Sequence, residues 1–275
     1  MPHASSVGGT RIFFEVHEPD APSELMPVVL LQGLGLSSRF WFDIPRDLAQ
    51  DHGRPRRVVT LDNRGVGRSD RPRGPYRMRD MADDVAAVLD AAGVSRAIVA
   101  GISLGGMIAM NFAIRHSSRI SGLVLLATTP GLPHGRLPGP GALARLFAMP
   151  LLRGRRSRWA DRALLPEGDL DRAAQLFARW PAALRQDPVR LGAFVSQVAA
   201  AAGHSVGFRL AKIAVPTVVL AGADDILIPP VNARRIARRI PRSYVQVLPG
   251  VAHAMPSSNP RIIQDALEIL ERMDR

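Results

Sequence analysis

Gly101-Ile102-Ser103-Leu104-Gly105 lies where the sequence predicts that an apolar strand ends and a helix begins. Residues 96–100 are typical of a short buried strand, and residues 106–113 of a helix packed on small side chains. A residue at a tight strand-to-helix turn has a strained backbone, and the flanking glycines give the two chains room to pass. Such a turn lifts the serine hydroxyl above the sheet, near helix N–H groups that favour negative charge. The pattern indicates a nucleophile at Ser103.

Composition limits the class of protein. With 275 residues the chain is long enough for a large α/β domain with a substantial core, and no segment resembles a linker between two domains. The absence of cysteine excludes disulfides, thiolate metal sites and thiol nucleophiles. The first residues lack the pattern of a signal peptide, and no apolar run reaches the ~18 residues of a membrane span. We therefore expect a soluble cytoplasmic protein.

The formal net charge of +12 at pH 7 is of the kind found in proteins that bind nucleic acids or anionic membranes. Lys212 is the only lysine, however, and the arginines are scattered along the chain. The densest run, 153–158, has Trp159 beside it but no wider aromatic pattern. We interpret the charge as a chain-wide compositional bias and expect no nucleic-acid partner. An anionic-surface binder, with salt-sensitive retention on heparin or acidic lipid, remains an alternative.

Strand-like and helix-like segments alternate in both the first and the last part of the chain. This alternation predicts a mainly parallel sheet with helices on both faces. The expected strands are 10–17, 28–31, 57–61, 97–100, 122–127, 217–220 and 244–248. The expected helices are 44–51, 78–92, 104–115, 231–239 and 260–273.

Residues 131–211 interrupt the alternation. Glycine and proline recur in 131–141, and arginine-rich amphipathic segments follow at 170–180 and 189–202. We interpret this stretch as an inserted helical cap over the carboxyl ends of the strands, where open α/β sheets bind ligands. Residues 1–130 and 212–275 then form the core domain. The large apolar residues of the cap are expected mostly to pack, with some lining the cleft: Leu146, Phe147, Met149, Leu151, Leu152, Trp159, Leu176, Phe177, Trp180, Phe194 and Val198.

A serine nucleophile needs a base, and the base needs a third group that orients it. The strand at 217–220 is followed by two adjacent carboxylates, Asp224 and Asp225. One helix and one strand later, His253 lies in the loop 249–256. The order serine, acid, histidine is the order expected for a nucleophile at a strand-to-helix turn of such a sheet. We predict that these side chains converge on one pocket.

The loop Gly33-Leu34-Gly35 follows an early strand and is flexible enough to turn its amides toward the serine. We predict that the N–H groups of Leu34 and Leu104 form an oxyanion hole. The aromatic residues that follow the loop are candidates either for the core or for the acyl pocket. The residues predicted to contact substrate are Gly33, Gly35, Phe40, Trp41, Trp159 and Phe177.

Taken together, these segments resemble the α/β-hydrolase superfamily, in particular its serine hydrolases with a helical lid. Residues 32–35 are similar to its oxyanion loop, 62–70 to its Asp-x-Arg-Gly-x-Gly-x-Ser segment, 101–106 to its nucleophile elbow, and 222–229 to its acid turn. The resemblance implies Ser103 as nucleophile, Asp225 instead of Asp224 as the acid, and His253 as the base. Many relatives carry a histidine where this chain has Gln32.

The resemblance implies cofactor-independent hydrolysis of carboxylic esters through an acyl-enzyme. The apolar cap favours small to medium, largely apolar substrates. Lactone (enol-lactone) hydrolysis and carbon–carbon bond hydrolysis are alternatives on the same fold. A ligand-binding receptor with little turnover is an alternative of another class. The oligomeric state is left open.

Other kinds of site are disfavoured. Residues 33–38 partly imitate a dinucleotide-binding loop, but the third glycine is missing. No histidine or carboxylate pair has metal-ligand spacing on one helix face, so we expect neither a metal nor a cofactor. Among the remaining histidines, His204 alone is placed to reach a pocket, although a surface position is favoured, and His3 is expected in a mobile tail.

Overall fold

The computed structural model describes residues 2–51, 53–148, 157–171 and 173–274. The strands are β1 His3–Ser5, β2 Arg11–His17, β3 Val28–Leu31, β4 Val58–Leu61, β5 Ala97–Ile102, β6 Ile120–Leu126, β7 Thr217–Gly222 and β8 Ser243–Leu248. They form one sheet in the order β1-β2-β4-β3-β5-β6-β7-β8. β2 pairs antiparallel with β1 and β4, whereas all pairs from β4 to β8 are parallel. The mainly parallel sheet confirms the predicted fold class.

Helices cover both faces of the sheet. Their bounds outside the 131–211 segment are α1 Ile44–Ala49, α2 Met78–Ala91, α3 Leu104–Arg115, α9 Val231–Ala237, α10 Met255–Ser258 and α11 Ile262–Asp274. Alternate residues of each strand face opposite sides: Val29 and Leu31 pack with α2 and α3, whereas Val28 and Leu30 pack with α1 and α11. Burial on both faces explains why β3, β4, β5 and β7 are almost entirely apolar, whereas the edge strand β8 is more exposed and carries Ser243 and Gln246. Within the described residues, none of the helices combines the length and apolar character that a bilayer span requires.

The chain between β6 and β7 is largely helical where it is described. Its helices are α4 Pro140–Ala148, α5 Arg158–Asp161, α6 Ala173–Leu176, α7 Trp180–Gln186 and α8 Leu191–Ala202. The amphipathic segment predicted at 170–180 is divided, because Pro181 occupies the first turn of a separate helix, α7. The cap bounds 131–211 stay a prediction. Met149, Leu151, Leu152 and most of the arginine run lie outside the described residues.

Hydrogen bonds tie these helices to the loops at the carboxyl edge of the sheet. The Ser37 hydroxyl donates to the Asp187 carboxylate at 2.7 Å, and Arg39 Nε donates to the same oxygen at 3.0 Å. In the loop after β8, Ala254 N–H donates to Leu164 C=O at 2.9 Å. The segment is therefore fixed to the loop that follows β3 and to the loop that carries His253.

The mobile tail predicted at His3 is wrong. His3 belongs to β1, which pairs with β2 in the register His3–Phe13. The imidazole packs edge-on against the Phe13 ring with centroids 5.5 Å apart, and its Nε2 lies 3.2 Å from Arg68 C=O. A strand of three residues is too short for a periodic pattern to reveal it.

Candidate active site

Ser103 lies at the turn between β5 and α3, with φ +56° and ψ −116°. A residue with a Cβ rarely adopts a positive φ, so this backbone is strained. The turn is held from β6 and the residues after it: Ser103 N–H donates to Leu126 C=O at 2.9 Å, and the Thr128 hydroxyl donates to Ser103 C=O at 2.8 Å. These bonds leave the serine side chain directed at a large cavity, whose wall it helps to form.

Gly101 and Gly105 provide the close approach that the turn requires. A Cβ on Gly101 would overlap the carbonyl oxygen of Gly105, and a Cβ on Gly105 would overlap the carbonyl oxygen of Leu31 at the end of β3. Neither glycine has a positive φ. The turn therefore needs glycine at both positions for space, and Ser103 is the residue between them that takes the strained backbone.

Asp225 and His253 are hydrogen-bonded to each other at the cavity that Ser103 also lines. Asp225 follows β7, is 4% exposed, and accepts a hydrogen bond at 2.8 Å through Oδ2 from Nδ1 of His253. Its other oxygen, Oδ1, accepts the N–H groups of Leu227 at 2.9 Å and Ile228 at 2.8 Å. The carboxylate is thereby fixed in one orientation, and the Nδ1 proton of the imidazole is assigned by its acceptor.

His253 and Ser103 line the same cavity, and no hydrogen bond joins them within the described part of the chain. Contacts of this kind commonly tighten only when substrate binds. With the Nδ1 proton directed at Asp225, the Nε2 lone pair of His253 is the one available to the cavity. The structure thus brings the three predicted side chains to one site.

Asp224, the neighbouring carboxylate, has different contacts. It is half-buried, its N–H donates to Val251 C=O at 2.9 Å, and its own C=O accepts from Arg162 at 3.5 Å. Asp225, and not Asp224, caps this turn, because its carboxylate accepts the N–H groups of Leu227 and Ile228. These contacts favour Asp225 over Asp224 as the carboxylate that orients His253.

The loop after β3 lies directly against the serine: a Cβ built on Gly33 would be 3.5 Å from the Cβ of Ser103. Gly33 N–H donates to Gln32 Oε1 at 2.9 Å, and Gly35 N–H donates to Gln197 Oε1 at 2.9 Å. Within the described residues, neither Leu34 N–H nor Leu104 N–H has a hydrogen-bond acceptor. These are the two donors that the sequence predicts for the oxyanion hole.

The cavity has a volume of about 380 Å³ and is lined mainly by apolar side chains. Gly33, Phe40 and Phe177 are on its wall, and their contact with substrate stays a prediction. The chain between β6 and β7 supplies the following residues of the wall: Leu143, Leu146, Phe147, Leu164, Trp180, Leu184, Phe194 and Val198. Within the described residues, no group of three histidine or carboxylate side chains is placed to hold a metal ion.

Three residues predicted to contact substrate are not on this wall. Trp41 is fully buried and packs with α1 beneath the sheet. Trp159 is 47% exposed, and the Arg145 guanidinium lies over its ring at 5.1 Å. Gly35 faces the cap, where a Cβ would meet the Phe194 ring at 3.2 Å. The predictions for Trp41, Trp159 and Gly35 are corrected accordingly.

The surface position favoured for His204 is also wrong. The side chain is 3% exposed and lines the cavity. Its Nε2–H donates to Thr129 C=O at 3.1 Å, and its Nδ1 accepts from Asn111 Nδ2 at 3.1 Å. Burial lowers the pKa of His204 to about 4, since desolvation penalises the imidazolium. The cavity therefore gains no positive charge from this histidine at neutral pH.

We expect His204 to make the folded protein sensitive to acid. The folded pKa of about 4 lies below the ordinary histidine pKa of 6.5, so between these pH values only the unfolded chain binds the proton. The contribution of His204 to the free energy of unfolding is complete above pH 6.5. It falls by about 3 kcal/mol in all as the pH drops toward 4. Urea unfolding at pH 7 and pH 4.5 should show a smaller loss for His204→Gln than for the wild type. Equal losses would contradict this account.

Gln197 and His204 are the site residues that the sequence reasoning missed or misplaced. Gln197 is fully buried on α8, on the same face as Ala193, Phe194 and Ala200. A glutamine on the apolar face of a predicted amphipathic helix was the available signal, because a buried amide must find hydrogen-bond partners. His204 carries no comparable signal, since it lies beyond the end of that helix.

Comparisons with known proteins agree with this geometry. A family model described as alpha/beta hydrolase fold matches residues 26–260. A protein of Azorhizobium caulinodans with the provisional name carbamate hydrolase RutD is 30% identical over 97% of this chain and 97% of its own length. The solved structure of Est816, described as an N-acyl homoserine lactone degrading enzyme, is 27% identical with a TM-score of 0.77 and covers 97% of this chain and 99% of its own. A thermophilic esterase from Thermogutta terrifontis is 26% identical with a TM-score of 0.75, covering 99% and 98%.

Proposed function

This chain belongs to the α/β-hydrolase family, and from that premise we propose that it is a serine hydrolase that cleaves small to medium, largely apolar carboxylic esters through an acyl-enzyme. The observation that carries the proposal is the hydrogen bond from His253 Nδ1 to Asp225 at 2.8 Å, beside the strained serine and in the same cavity. Ser103 is the nucleophile, His253 the general base and acid, and Asp225 the group that orients the imidazole.

The proton moves through one nitrogen. Asp225 holds the Nδ1 proton, so Nε2 of His253 is free to accept the hydroxyl proton as Ser103 Oγ bonds to the substrate carbonyl carbon. Nε2–H then donates that proton to the leaving alcohol as the ester C–O bond breaks. Water attacks the acyl-enzyme by the same route, with the proton returned to Ser103. Asp225 stabilises the imidazolium that forms in each half of the reaction.

The negative charge on the carbonyl oxygen is accepted by backbone donors. The N–H groups of Leu34 and Leu104, which have no acceptor among the described residues, flank Ser103 from the loop after β3 and from the first turn of α3. The neighbouring Gly33 and Gly35 N–H groups are already used by glutamine side chains. Loss of one such donor typically costs about 10²–10³-fold in kcat, so these amides carry a large share of the rate.

The substrate class follows from the wall of the cavity. Its volume of about 380 Å³ suits a small or medium molecule, and its Leu, Phe and Trp side chains favour apolar groups. A negatively charged acyl or alcohol group would lose its hydration there, because the described residues of the wall include the Asp161 carboxylate and no lysine or arginine. The neutral His204 does not change that balance.

A fluorophosphonate probe and matched aryl esters test the proposal. We expect rapid stoichiometric labelling of Ser103 and many turnovers on 4-nitrophenyl pentanoate. The glutarate monoester has a similar chain length with a terminal carboxylate, and we expect its kcat/KM to be lower by about 10²-fold or more because of desolvation. The measurement is initial rate against concentration for both esters. Labelling without repeated turnover would instead support the receptor alternative.

Lactone hydrolysis is a second candidate, because the structural relative Est816 is described as a lactone-degrading enzyme. A lactone presents the same carbonyl carbon to Ser103, and its ring oxygen stays attached to the acyl chain after cleavage. Acyl homoserine lactones of different chain length, measured beside the aryl esters, distinguish the two. A higher kcat/KM for the lactones would make ring opening the principal activity.

A further inference from the structure

The loop that carries the proposed oxyanion donor is held from both sides by glutamine side chains. Gln32 Oε1 accepts the N–H of Gly33, and Gln197 Oε1 accepts the N–H of Gly35, each at 2.9 Å. Leu34 N–H, between them, has no acceptor among the described residues. The second glutamine comes from α8, far away in sequence, and is fully buried. A helix between β6 and β7 therefore holds the loop beside the nucleophile.

Both ends of the Gln197 amide are used. Oε1 accepts from Gly35, and Nε2 donates to Arg64 C=O at 3.0 Å. An amide N–H can only donate and a carbonyl can only accept, so these partners fix which way the side chain is turned. Arg64 is itself held, because its Nε and Nη2 donate to the buried Asp84 carboxylate at 2.7 and 2.6 Å. Gln197 thus links the loop after β3 to a rigid point in the loop after β4.

The Gly35 position needs such a partner. Gly35 has φ +73° and lies against the Phe194 ring, so its N–H is shielded from water. A buried N–H without an acceptor is unfavourable, so without Gln197 the loop would shift to give the Gly35 N–H another partner. The Gly35 N–H belongs to the Leu34–Gly35 peptide, which shares the Leu34 Cα with the peptide that carries the Leu34 N–H. A shift of the loop at Gly35 therefore moves the Leu34 N–H, which must point at the oxygen of the tetrahedral intermediate.

We propose that Gln197 is a positioning residue for the oxyanion hole: it fixes the Gly35 peptide so that the Leu34 N–H is aimed at the developing oxyanion. This inference rests on the serine hydrolase function proposed above. Gln197 does not touch the reacting atoms and acts only through the loop. Its contribution is therefore expected in the transition state and not in the binding of the ground-state substrate.

The first test is Gln197→Met, which keeps the length of the side chain and removes both hydrogen bonds. We expect kcat on the best aryl ester to fall by about 10-fold or more, with KM changed less than about 3-fold, since a misaimed donor costs less than a deleted one. Val195→Ala is the matched control, because Val195 lies on the same helix and is 54% exposed. We expect its kinetics to equal those of the wild type.

A pair of inhibitors separates positioning from a general loosening of the cavity. A trifluoromethyl ketone forms a hemiketal oxyanion with Ser103, as the hydroxyl proton passes to His253. The matching secondary alcohol fills the same pocket without an oxyanion. We expect Gln197→Met to weaken binding of the ketone by the same factor by which it lowers kcat/KM. Binding of the alcohol should stay unchanged. Equal losses for both inhibitors would overturn the inference.

Gln197→Glu provides a rescue. A buried carboxyl has a raised pKa, and in its protonated form it accepts from Gly35 N–H and donates to Arg64 C=O as the amide does. We expect its kcat relative to wild type to rise as the pH falls, a trend absent from Gln197→Met. The charged groups of the loops around it are already paired: Arg64 with Asp84, Arg68 with Asp62 and Glu15, and Arg39 with Asp187.

The outcomes distinguish the two proposals. If the wild type turns over esters and Gln197→Met matches it in kcat and in ketone affinity, the inference alone is wrong. If Gln197→Met does not fold, Gln197→Glu decides: no recovery of kcat at low pH overturns the inference. If the wild type is neither labelled by a fluorophosphonate nor active on esters and lactones, the proposed function fails and the inference fails with it.

Discussion

Ser103→Ala is expected to remove ester hydrolysis almost completely while the protein stays folded. The hydroxyl is the only part of the side chain that is lost, and without it no acyl-enzyme forms. Loss of the nucleophile in a serine triad lowers kcat by about 10⁶-fold, and the residual rate comes from the oxyanion donors and substrate binding. We therefore expect activity at the limit of detection on every ester and lactone tested.

The fold should tolerate this change because the strain at the turn does not depend on the hydroxyl. Alanine has a Cβ like serine, so the positive φ of +56° costs about the same in both proteins. The bonds that hold the turn, to Leu126 and from Thr128, involve backbone atoms of residue 103. We expect the free energy of unfolding to change by about 0.5 kcal/mol or less, measured by urea unfolding. A variant with undiminished turnover would refute the nucleophile assignment.

The sheet and the turn at Ser103 were predictable because their signals are local. A parallel strand buried on both faces is apolar throughout, and the strand-to-helix turn needs glycine two positions before and after its serine. Both patterns are visible without knowledge of the rest of the chain. The predicted strands accordingly overlap β2 to β8, with end points that differ by a few residues.

The aromatic residues after the oxyanion loop show what local patterns leave undecided. Phe40 and Trp41 are neighbours in a 3₁₀ turn, yet Phe40 is on the cavity wall and Trp41 packs beneath the sheet. Adjacent residues in a turn point in different directions, and which of them meets the cavity depends on the path of the next helix. The position of the Trp159 side chain likewise depends on the path of the surrounding segment, which has no regular apolar period in the sequence.

Gln197 marks a second limit of the sequence. Its hydrogen bond to Gly35 spans 162 positions in the chain, so the loop could be recognised from its glycines while its support could not. Many relatives of the superfamily carry a histidine where this chain has Gln32. Here Gln32 binds the N–H of Gly33, and Gln197 holds the other side of the loop. The departure from the familiar pattern therefore lies in the same loop that Gln197 of α8 holds at Gly35.

Asp225→Asn is expected to lower kcat by about 10⁴-fold at neutral pH, because the amide forces the wrong tautomer on His253. Two backbone N–H groups, of Leu227 and Ile228, donate to Oδ1, so the amide must keep its oxygen there. Its NH₂ then faces His253 Nδ1 and donates to it. The imidazole proton moves to Nε2, which can no longer accept the proton of Ser103.

Asp224→Asn is the matched control for this prediction, since it makes the same chemical change one residue away. Asp224 takes part in its turn through backbone hydrogen bonds to Val251 and from Arg162, and these survive the substitution. We expect its kcat to stay within about 2-fold of the wild type, as for an ordinary surface change.

Fluorophosphonate labelling should follow the same order, slow for Asp225→Asn and normal for Asp224→Asn, because labelling needs the same activated hydroxyl. A large loss in Asp224→Asn together with an active Asp225→Asn would exchange the roles of the two carboxylates. If both variants lost stability in urea unfolding, the loss of activity would come from unfolding and not from the tautomer of His253.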